Sequence, residues 1–271
     1  MREDNGKNLV KENTNINSKE KKGNVARISV IGEKTNFSTV EAYRTARTNL
    51  MFSLIDEEGC KKVVLTSAMP GDGKTITCIN LAITFAQAGL RVLLVDCDLR
   101  RPRVHVYLDR ECENGLGDVL IDMCTVDEVL MSSKGIDFIP AGQMSQNPAE
   151  LLSSKKMKSI INELSENYDY IFFDTPPIGL VTDVSGFMGE TSGVVVVVRQ
   201  NHTMHKAIEG AMSSLNFANA KILGFILNDA TLDNYSKRKR PYSSYGDYGD
   251  YGDYGSYGSY GGYKKNNKIQ E

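Results

Sequence analysis

The chain of 271 residues has almost no net charge, and this absence bears on its partners. Lysine and arginine together number 32 and aspartate and glutamate 34, so the formal net charge is −2. Proteins that bind nucleic acid usually carry an excess of basic residues. We therefore expect no nucleic-acid partner.

Cysteine pairs and long apolar runs are also missing. The five cysteines form no CxxC pair and have no histidine cluster beside them, which favours reduced, mostly buried thiols in the cytosol. No stretch approaches the ~20 apolar residues that cross a bilayer. The polar first 24 residues lack the apolar stretch of a signal peptide. We expect a cytoplasmic protein that reaches a membrane only through a partner.

Apolar, β-branched runs alternate with helical patterns along most of the chain. Strands are predicted at 61–67, 91–96, 136–140, 168–174, 193–199 and 222–228. Helices are predicted from Ser38 (as N-cap, with Glu41 in a capping box) to 54, and at 74–88, within 117–130, at 148–167 and at 203–215. This alternation is typical of a mostly parallel sheet covered on both faces, a doubly wound α/β fold.

Both ends of the chain differ in composition from this region. Residues 1–32 are polar and predicted to be flexible, residues 33–233 to form the folded domain, and residues 234–271 to form a disordered tail. The tail has a basic run at 237–240 and then a tyrosine at every third position. These tyrosines are Tyr242, Tyr245, Tyr248, Tyr251, Tyr254, Tyr257, Tyr260 and Tyr263.

The segment 68–75 (AMPGDGKT) follows a predicted strand and opens a predicted helix. That context, with small residues before Lys74 and Thr75, is the one a Walker A phosphate loop needs. Lys74 would bridge the β- and γ-phosphates and Thr75 would bind Mg²⁺. Ala68 replaces the first glycine of the pattern, a small-for-small change. The predicted nucleotide-binding residues are Pro70, Gly71, Asp72, Gly73, Lys74 and Thr75. A P-loop NTPase fold follows.

Three aspartates end hydrophobic strands, where α/β proteins build their sites. Asp96 and Asp98 follow the run LLV, and Asp174 follows IFF in the position of a Walker B aspartate. A single strand-end aspartate can be a helix cap or a turn residue. Three of them together with a phosphate loop favour a site for phosphoryl transfer.

The order of PGDGKT, VDCDLR and FFDTPP resembles the Walker A, A′ and B motifs of the bacterial tyrosine kinases. That family is built on a P-loop rather than on the eukaryotic kinase fold. The resemblance covers residues 33–229 and the type of tail, and looks closest to the cytosolic kinases of Gram-positive bacteria that govern capsule and exopolysaccharide synthesis. It implies an ATP- and Mg²⁺-dependent protein-tyrosine kinase.

The resemblance also implies roles for single residues. Lys74, Asp96 and Asp98 are expected to be catalytic, with Asp96 orienting the tyrosine hydroxyl and accepting its proton. Asp96 and Asp98 could exchange these roles, and the sequence leaves this open. Asn228 resembles the residue that reads adenine in the superfamily, although it could simply end a strand. The expected Mg²⁺ ligands are Thr75, Asp98 and Asp174.

Residues 41–47 (EAYRTAR) resemble the ExxRxxR motif with which family members contact neighbouring subunits in a ring. The spacing places Glu41, Arg44 and Arg47 near one helix face, which an ordinary solvated charged face would also explain. The resemblance further implies autophosphorylation of the terminal tyrosines between subunits, other protein substrates with tyrosine, and a transmembrane protein that activates the kinase.

Two alternative interpretations remain. Partition-type regulatory ATPases share the fold, but they resemble KGGxGK[ST] at the loop, and the position of their extra lysine is Met69 here. The tail could instead be a sticky low-complexity segment or a basic, aromatic arm for single-stranded nucleic acid. Those tail functions predict RNA binding or condensation without ATP.

Overall fold

The structure is a computed structural model that describes residues 30–178 and 186–231. The predicted tail and its eight tyrosines lie outside the described residues, as does nearly all of the predicted segment 1–32. The domain limits therefore stay predictions. No helix in the described part of the chain has the length and apolarity to cross a bilayer.

A seven-stranded sheet forms the centre of the described residues, with the strand order β3-β4-β2-β5-β1-β6-β7. Neighbouring strands are parallel, except that β3 pairs antiparallel with β4 in a hairpin that the sequence did not predict. The strands are β1 (Lys61–Ser67), β2 (Val92–Asp96), β3 (Met131–Ser133), β4 (Ile136–Ile139), β5 (Tyr170–Asp174), β6 (Gly193–Arg199) and β7 (Ile222–Asn228).

Helices cover both faces of the sheet, which confirms the predicted doubly wound α/β fold. They are α1 (Phe37–Ser53), α2 (Lys74–Ala86), α3 (Val104–Tyr107), α4 (Leu116–Leu120), α5 (Val126–Val129), α6 (Pro148–Leu152), α7 (Lys155–Ser165) and α8 (His205–Phe217). A short 3-10 helix spans Met188–Glu190.

Two hydrophobic cores follow from the alternation of side chains along each strand. Leu65, Leu94 and Phe172 belong to the core that α1 and α2 cover, and the Phe85 ring of α2 meets Phe172 edge-on at 5.2 Å. Their strand neighbours Val64, Val95 and Phe173 point the other way, into the core that α4, α7 and α8 cover. The strands β1, β2, β5 and β6 are buried on both faces, so they read as continuous apolar runs.

The predicted start of α1 was wrong by two residues. Asn36, not Ser38, is the N-cap, because its side chain accepts the Thr39 backbone N–H at 2.8 Å. The Ser38 hydroxyl instead donates to Asn36 Oδ1 at 3.2 Å. Asparagine and serine are both favourable N-cap residues, so the sequence alone does not decide which of the two begins the helix.

The single helix predicted at 148–167 is broken into α6 and α7. Ser154 leaves the helical conformation with ψ 155° and caps α7, its side chain accepting the Met157 N–H at 3.1 Å. A serine pair at 153–154 supplied the signal for this break.

All five cysteines are free, but only Cys78 and Cys97 are buried, so the prediction of mostly buried thiols was wrong.

Candidate active site

The sheet brings the predicted strand-end aspartates together. β5 lies between β2 and β1, and the register sets Asp96 opposite Asp174. Leu65, two residues before the end of β1, also lies opposite Asp174. The carboxyl ends of parallel strands open at one edge of the sheet, where such folds place ligands. The phosphate-loop segment follows β1 at that same edge.

The loop itself depends on glycine at two positions. Gly71 and Gly73 have φ of +84° and +89°, and Gly73 is the N-cap of α2. A Cβ atom on Gly73 would lie 2.1 Å from Nδ2 of Asn228. Both the left-handed conformation and this close approach exclude a larger residue. The helix α2 then begins at Lys74, as a Walker A loop requires.

The Lys74 ammonium lies between two of the strand-end carboxylates. Its Nζ is 3.1 Å from Asp98 Oδ2 and 3.3 Å from Asp174 Oδ1, and it donates to Thr75 Oγ1 at 3.2 Å. Burial alone would lower the pKa of Lys74, but Asp174, Asp98 and Asp96 together raise it above its ordinary value. The lysine therefore stays charged at neutral pH.

Asp96 is held quite differently from Asp98. Its carboxylate is fully buried and accepts three backbone N–H groups: Asp98 at 3.1 Å, Arg103 at 3.2 Å and Val104 at 3.1 Å. Asp98 accepts the Arg101 N–H through Oδ1 at 3.0 Å and turns Oδ2 toward Lys74. The main chain thus fixes the orientation of Asp96, whereas Asp98 keeps one oxygen directed at the ammonium.

The negative charge of the cluster exceeds the charge of its lysine. Burial raises the pKa of Asp96 to about 7, and the nearby Asp174 carboxylate adds to this rise against the lowering effect of Lys74. Burial likewise raises the pKa of Asp174. A cluster of three carboxylates around one ammonium favours the uptake of a further positive charge, either a proton or a cation.

The oxygens of Thr75, Asp98 and Asp174 are of the kind that Mg²⁺ prefers. Within residues 30–178 and 186–231, no three His, Cys, Asp or Glu side chains are spaced to hold a metal ion by themselves. Mg²⁺ commonly needs only one or two carboxylates when phosphate oxygens and water complete its shell. The donor set therefore fits an ion that binds together with a nucleotide.

A second group of residues braces the loop, and sequence reasoning missed it. The buried Asp72 carboxylate accepts the Met69 N–H at 2.8 Å and the Thr203 hydroxyl at 2.7 Å. The His202 ring Nε2 lies 3.0 Å from the Pro70 carbonyl oxygen. The contacts of Thr203 and His202 join residues 131 and 132 positions apart, so no local motif in the sequence could have predicted them.

Asn228 and Arg199 extend this brace. The Asn228 amide donates to the Asp72 carbonyl at 2.8 Å, and Arg199 Nη1 lies 3.4 Å from the Gly71 carbonyl oxygen. Arg199 also pairs with Asp229 at 2.9 Å. Asn228 therefore packs directly on the phosphate loop, a contact that the predicted role in reading adenine did not anticipate. That role stays a prediction.

The charged motif of α1 lies away from these carboxylates. Arg44 is exposed and Glu41 half-exposed, and the two side chains pair with each other at 2.7 Å. Arg47 turns inward and donates to the Thr84 carbonyl of α2 at 2.6 Å. Two of the three residues are therefore available at the surface, while Arg47 is engaged within its own chain.

Comparison with known proteins matches this geometry to a family. Residues 60–222, more than half of the chain, match the family model described as an AAA domain. The tyrosine-protein kinase YwqD of Bacillus subtilis (strain 168) is 40% identical over 199 residues, which cover 73% of this chain and 84% of YwqD. The chain belongs to the bacterial tyrosine-protein kinase family.

Other members of the bacterial tyrosine-protein kinase family align over similar lengths. The putative tyrosine-protein kinase CapB of Staphylococcus aureus is 33% identical, covering 76% of this chain and 91% of CapB. The kinase domain of Escherichia coli tyrosine kinase Etk superposes with a TM-score of 0.69 at 32% identity, covering 77% and 80% of the two chains. The septum site-determining protein MinD of Pyrococcus horikoshii OT3, at 23% identity and a TM-score of 0.52, shares the fold alone.

The brace gives a prediction about nucleotide affinity. Replacing Thr203 with valine removes a hydrogen bond to the buried Asp72 carboxylate, a bond to a charged group worth about 1.5–3 kcal/mol. We expect a loosened loop and Mg·ATP binding weaker by roughly tenfold, measured by calorimetric titration. Thr191→Val is the matched control, since its hydroxyl donates to the Met188 carbonyl at the other end of β6. Equal affinities of the two variants would contradict this role of Thr203.

Proposed function

We propose that this chain is an ATP-dependent protein-tyrosine kinase that phosphorylates its own terminal tyrosines and regulates capsular or exopolysaccharide synthesis and export. The observation that carries the proposal is the Lys74 ammonium held within 3.3 Å of Asp98 and Asp174 at the start of a phosphate-loop helix. Family membership supports the choice of tyrosine as the acceptor.

ATP would bind with its phosphates on the loop. The backbone of the loop comes from Pro70, Gly71, Asp72 and Gly73, and the N-terminal end of α2 adds partial positive charge. Lys74 is charged and is the first residue of that helix, so it can exchange a carboxylate partner for the β- and γ-phosphate oxygens. Asn228 fastens the loop through the Asp72 carbonyl and is proposed to contact the adenine as well.

Mg²⁺ would be held by Thr75, Asp98 and Asp174, directly or through water. When bound, it neutralises the charge that gathers on the β- and γ-phosphate oxygens. Burial raises the pKa of Asp174, which favours neutralisation of this carboxylate by a proton or a cation and so supports its proposed role as a ligand. Asp98 is better able than Asp96 to bind an ion, because the main chain binds only one of its oxygens, whereas three backbone N–H groups bind the Asp96 carboxylate.

Asp96 is proposed to orient and deprotonate the acceptor. A carboxylate offers about four lone-pair sites, and three backbone N–H groups occupy three of those on Asp96. In the step we propose, the tyrosine O–H proton passes to Asp96 and the phenolic oxygen bonds to the γ-phosphorus. The bond from that phosphorus to the β–γ bridging oxygen breaks, and ADP leaves with the electron pair. Asp98 remains the alternative base.

The acceptors are proposed to belong to a neighbouring subunit in a ring. The ring contact would use Glu41 and Arg44 at the surface of α1, with Arg47 supporting them from the α1–α2 junction. If the Gly-rich tail of about 38 residues is flexible, as the sequence predicts, its root-mean-square span would be roughly 35 Å, enough to reach an adjacent subunit. The kinase would be cytoplasmic and membrane-associated through a transmembrane activator, and would also act on other proteins with tyrosine.

A mixing experiment tests transfer between subunits. Lys74→Met protein with an intact tail is mixed with a protein that keeps Lys74 but is truncated after residue 240, and ATP is added. We expect phosphotyrosine on the Lys74→Met tail, because the truncated partner supplies the active site. If the tail stays unlabelled in the mixture while the wild-type protein becomes labelled in a parallel sample, transfer occurs within one chain.

The same experiment separates the kinase from its alternative. A partition-type ATPase would hydrolyse ATP in every sample that contains Lys74 and would leave all tyrosines unmodified. In that case the proposed function would be wrong, whatever the arrangement of subunits.

A further inference from the structure

Two arginines stand directly beside the catalytic carboxylates. The Arg101 backbone N–H donates to Asp98 Oδ1 at 3.0 Å, and the Arg103 N–H donates to Asp96 Oδ2 at 3.2 Å. These bonds fix the main chain at both positions relative to the site. Each guanidinium therefore starts from an anchored point next to the place where the acceptor tyrosine must enter.

Both side chains are exposed, and in the part of the chain that the structure describes neither guanidinium has a hydrogen bond or an ion pair. By contrast, the exposed Arg44 and Arg91 and the half-buried Arg199 each pair with a carboxylate at 2.7–2.9 Å. Two neighbouring cations left without an anion at the edge of a site favour an acidic ligand there.

The surface next to them suits a peptide. On α3, immediately after Arg103, Val106 is 53% and Tyr107 41% exposed. An apolar and aromatic surface beside two guanidinium groups can contact a tyrosine-rich segment while the arginines meet its acidic side chains. The combination fits an extended acidic peptide better than a bare anion.

We propose that Arg101 and Arg103 form a rim that selects tyrosines with an acidic residue close by in sequence. The inference rests on the proposed kinase function and names the substrate class of that same site. An acidic residue two positions from the tyrosine lies about 7 Å away along an extended chain, a distance that an arginine side chain can span.

The chain's own terminal repeat carries this chemistry unevenly. Asp247, Asp250 and Asp253 each follow one tyrosine by two positions and directly precede the next. Tyr248 and Tyr251 therefore have an aspartate on both sides. The tyrosines without a neighbouring aspartate at either of these positions are Tyr242, Tyr257, Tyr260 and Tyr263. The rim predicts that Tyr248 and Tyr251 are phosphorylated before these four.

The test compares two synthetic peptides as substrates of the full-length protein. One carries three Tyr-Gly-Asp repeats, and the other has asparagine in place of each aspartate. We expect kcat/KM to favour the acidic peptide by roughly two- to tenfold at low ionic strength, since each of two exposed charge pairs contributes up to about fivefold, and by less at high salt. The chain's own tail competes equally with both peptides, so their ratio is unaffected.

Variants assign the preference to the rim. In Arg101→Gln/Arg103→Gln the ratio should fall to about one. The control Arg110→Gln should keep it, since Arg110 is an exposed arginine whose guanidinium meets, among the described residues, only the Ser132 carbonyl at 3.4 Å. In Arg101→Glu/Arg103→Glu, a peptide with lysine in place of each aspartate should become the better substrate. A misfolded protein could not show this reversal, because it is a gain of activity toward the lysine peptide.

A wild-type ratio of one, or a ratio that persists in Arg101→Gln/Arg103→Gln, would overturn the rim while leaving the kinase in place. If the wild-type protein phosphorylated neither peptide nor its own tail, the proposed function would fail and the rim with it.

Discussion

Replacing Lys74 with methionine should reduce tyrosine phosphorylation by at least about a hundred- to a thousandfold, the usual cost of removing a preorganised charge from a transition state. The ammonium lies at the mouth of the phosphate loop and is kept charged by three carboxylates. Methionine has a similar length and no charge, so the β- and γ-phosphates would lose the cation proposed to bridge them. The measurement is the initial rate of phosphate incorporation with saturating Mg·ATP.

The same substitution should also lower stability. Lys74 is the cation of a buried cluster, and removing one partner of a buried ion pair typically costs about 3–5 kcal/mol. Protonation of Asp96, whose pKa burial already raises to about 7, should limit this cost. The control is Lys158→Met, which removes an ion pair to Glu190 at the surface and should change neither property much. Phosphorylation retained in a folded Lys74→Met protein would contradict the assignment.

Replacing Asp96 with asparagine should leave ATP binding in place and reduce phosphotransfer by roughly 10²–10⁴-fold, the contribution of a general base. Asparagine keeps the shape but cannot accept a proton from tyrosine at neutral pH. Its NH₂ group would also face at least one of three backbone N–H donors, an unfavourable contact that costs about 1–3 kcal/mol. Single-turnover phosphorylation measures the loss of phosphotransfer, and nucleotide titration measures ATP binding.

Asp98→Asn is the matched comparison. Asp98 directs one oxygen at Lys74 and is proposed to bind Mg²⁺, so its loss should raise the Mg²⁺ concentration needed for half-maximal activity. Asp96→Asn should leave that concentration nearly unchanged. If the two variants exchanged these behaviours, Asp98 would be the base. Full activity of Asp96→Asn at ordinary Mg²⁺ would rule out the role proposed for Asp96.

Much of this site could be predicted because its signals are local. β1, β6 and β7 have the limits that the sequence indicated, since β-branched runs are bounded there by polar or turn residues. The phosphate loop is a contiguous motif, and strand-end aspartates meet wherever parallel strands are neighbours. That Lys74 lies against Asp98 and Asp174 follows from these elements together.

What could not be predicted depends on contacts between distant residues. Thr203 and Asp72 are 131 positions apart, and their hydrogen bond has no sequence signature. The three-residue strand β3 is too short and too polar to show a period. At Asn36 and Ser38, and at Ser153 and Ser154, two residues of similar capping ability lie close together, so the sequence alone does not decide between them.

The proposed autophosphorylation is tested most directly by mass spectrometry of the peptide that follows Arg240 after the purified protein has been incubated with Mg·ATP. We expect a ladder of phosphates on the tyrosines from Tyr242 to Tyr263, absent from Lys74→Met protein treated in the same way. A cytosolic fragment of the proposed transmembrane activator, added to a parallel sample, is expected to raise the rate. ATP hydrolysis with every one of these tyrosines unmodified would contradict the proposed kinase function and favour a regulatory ATPase.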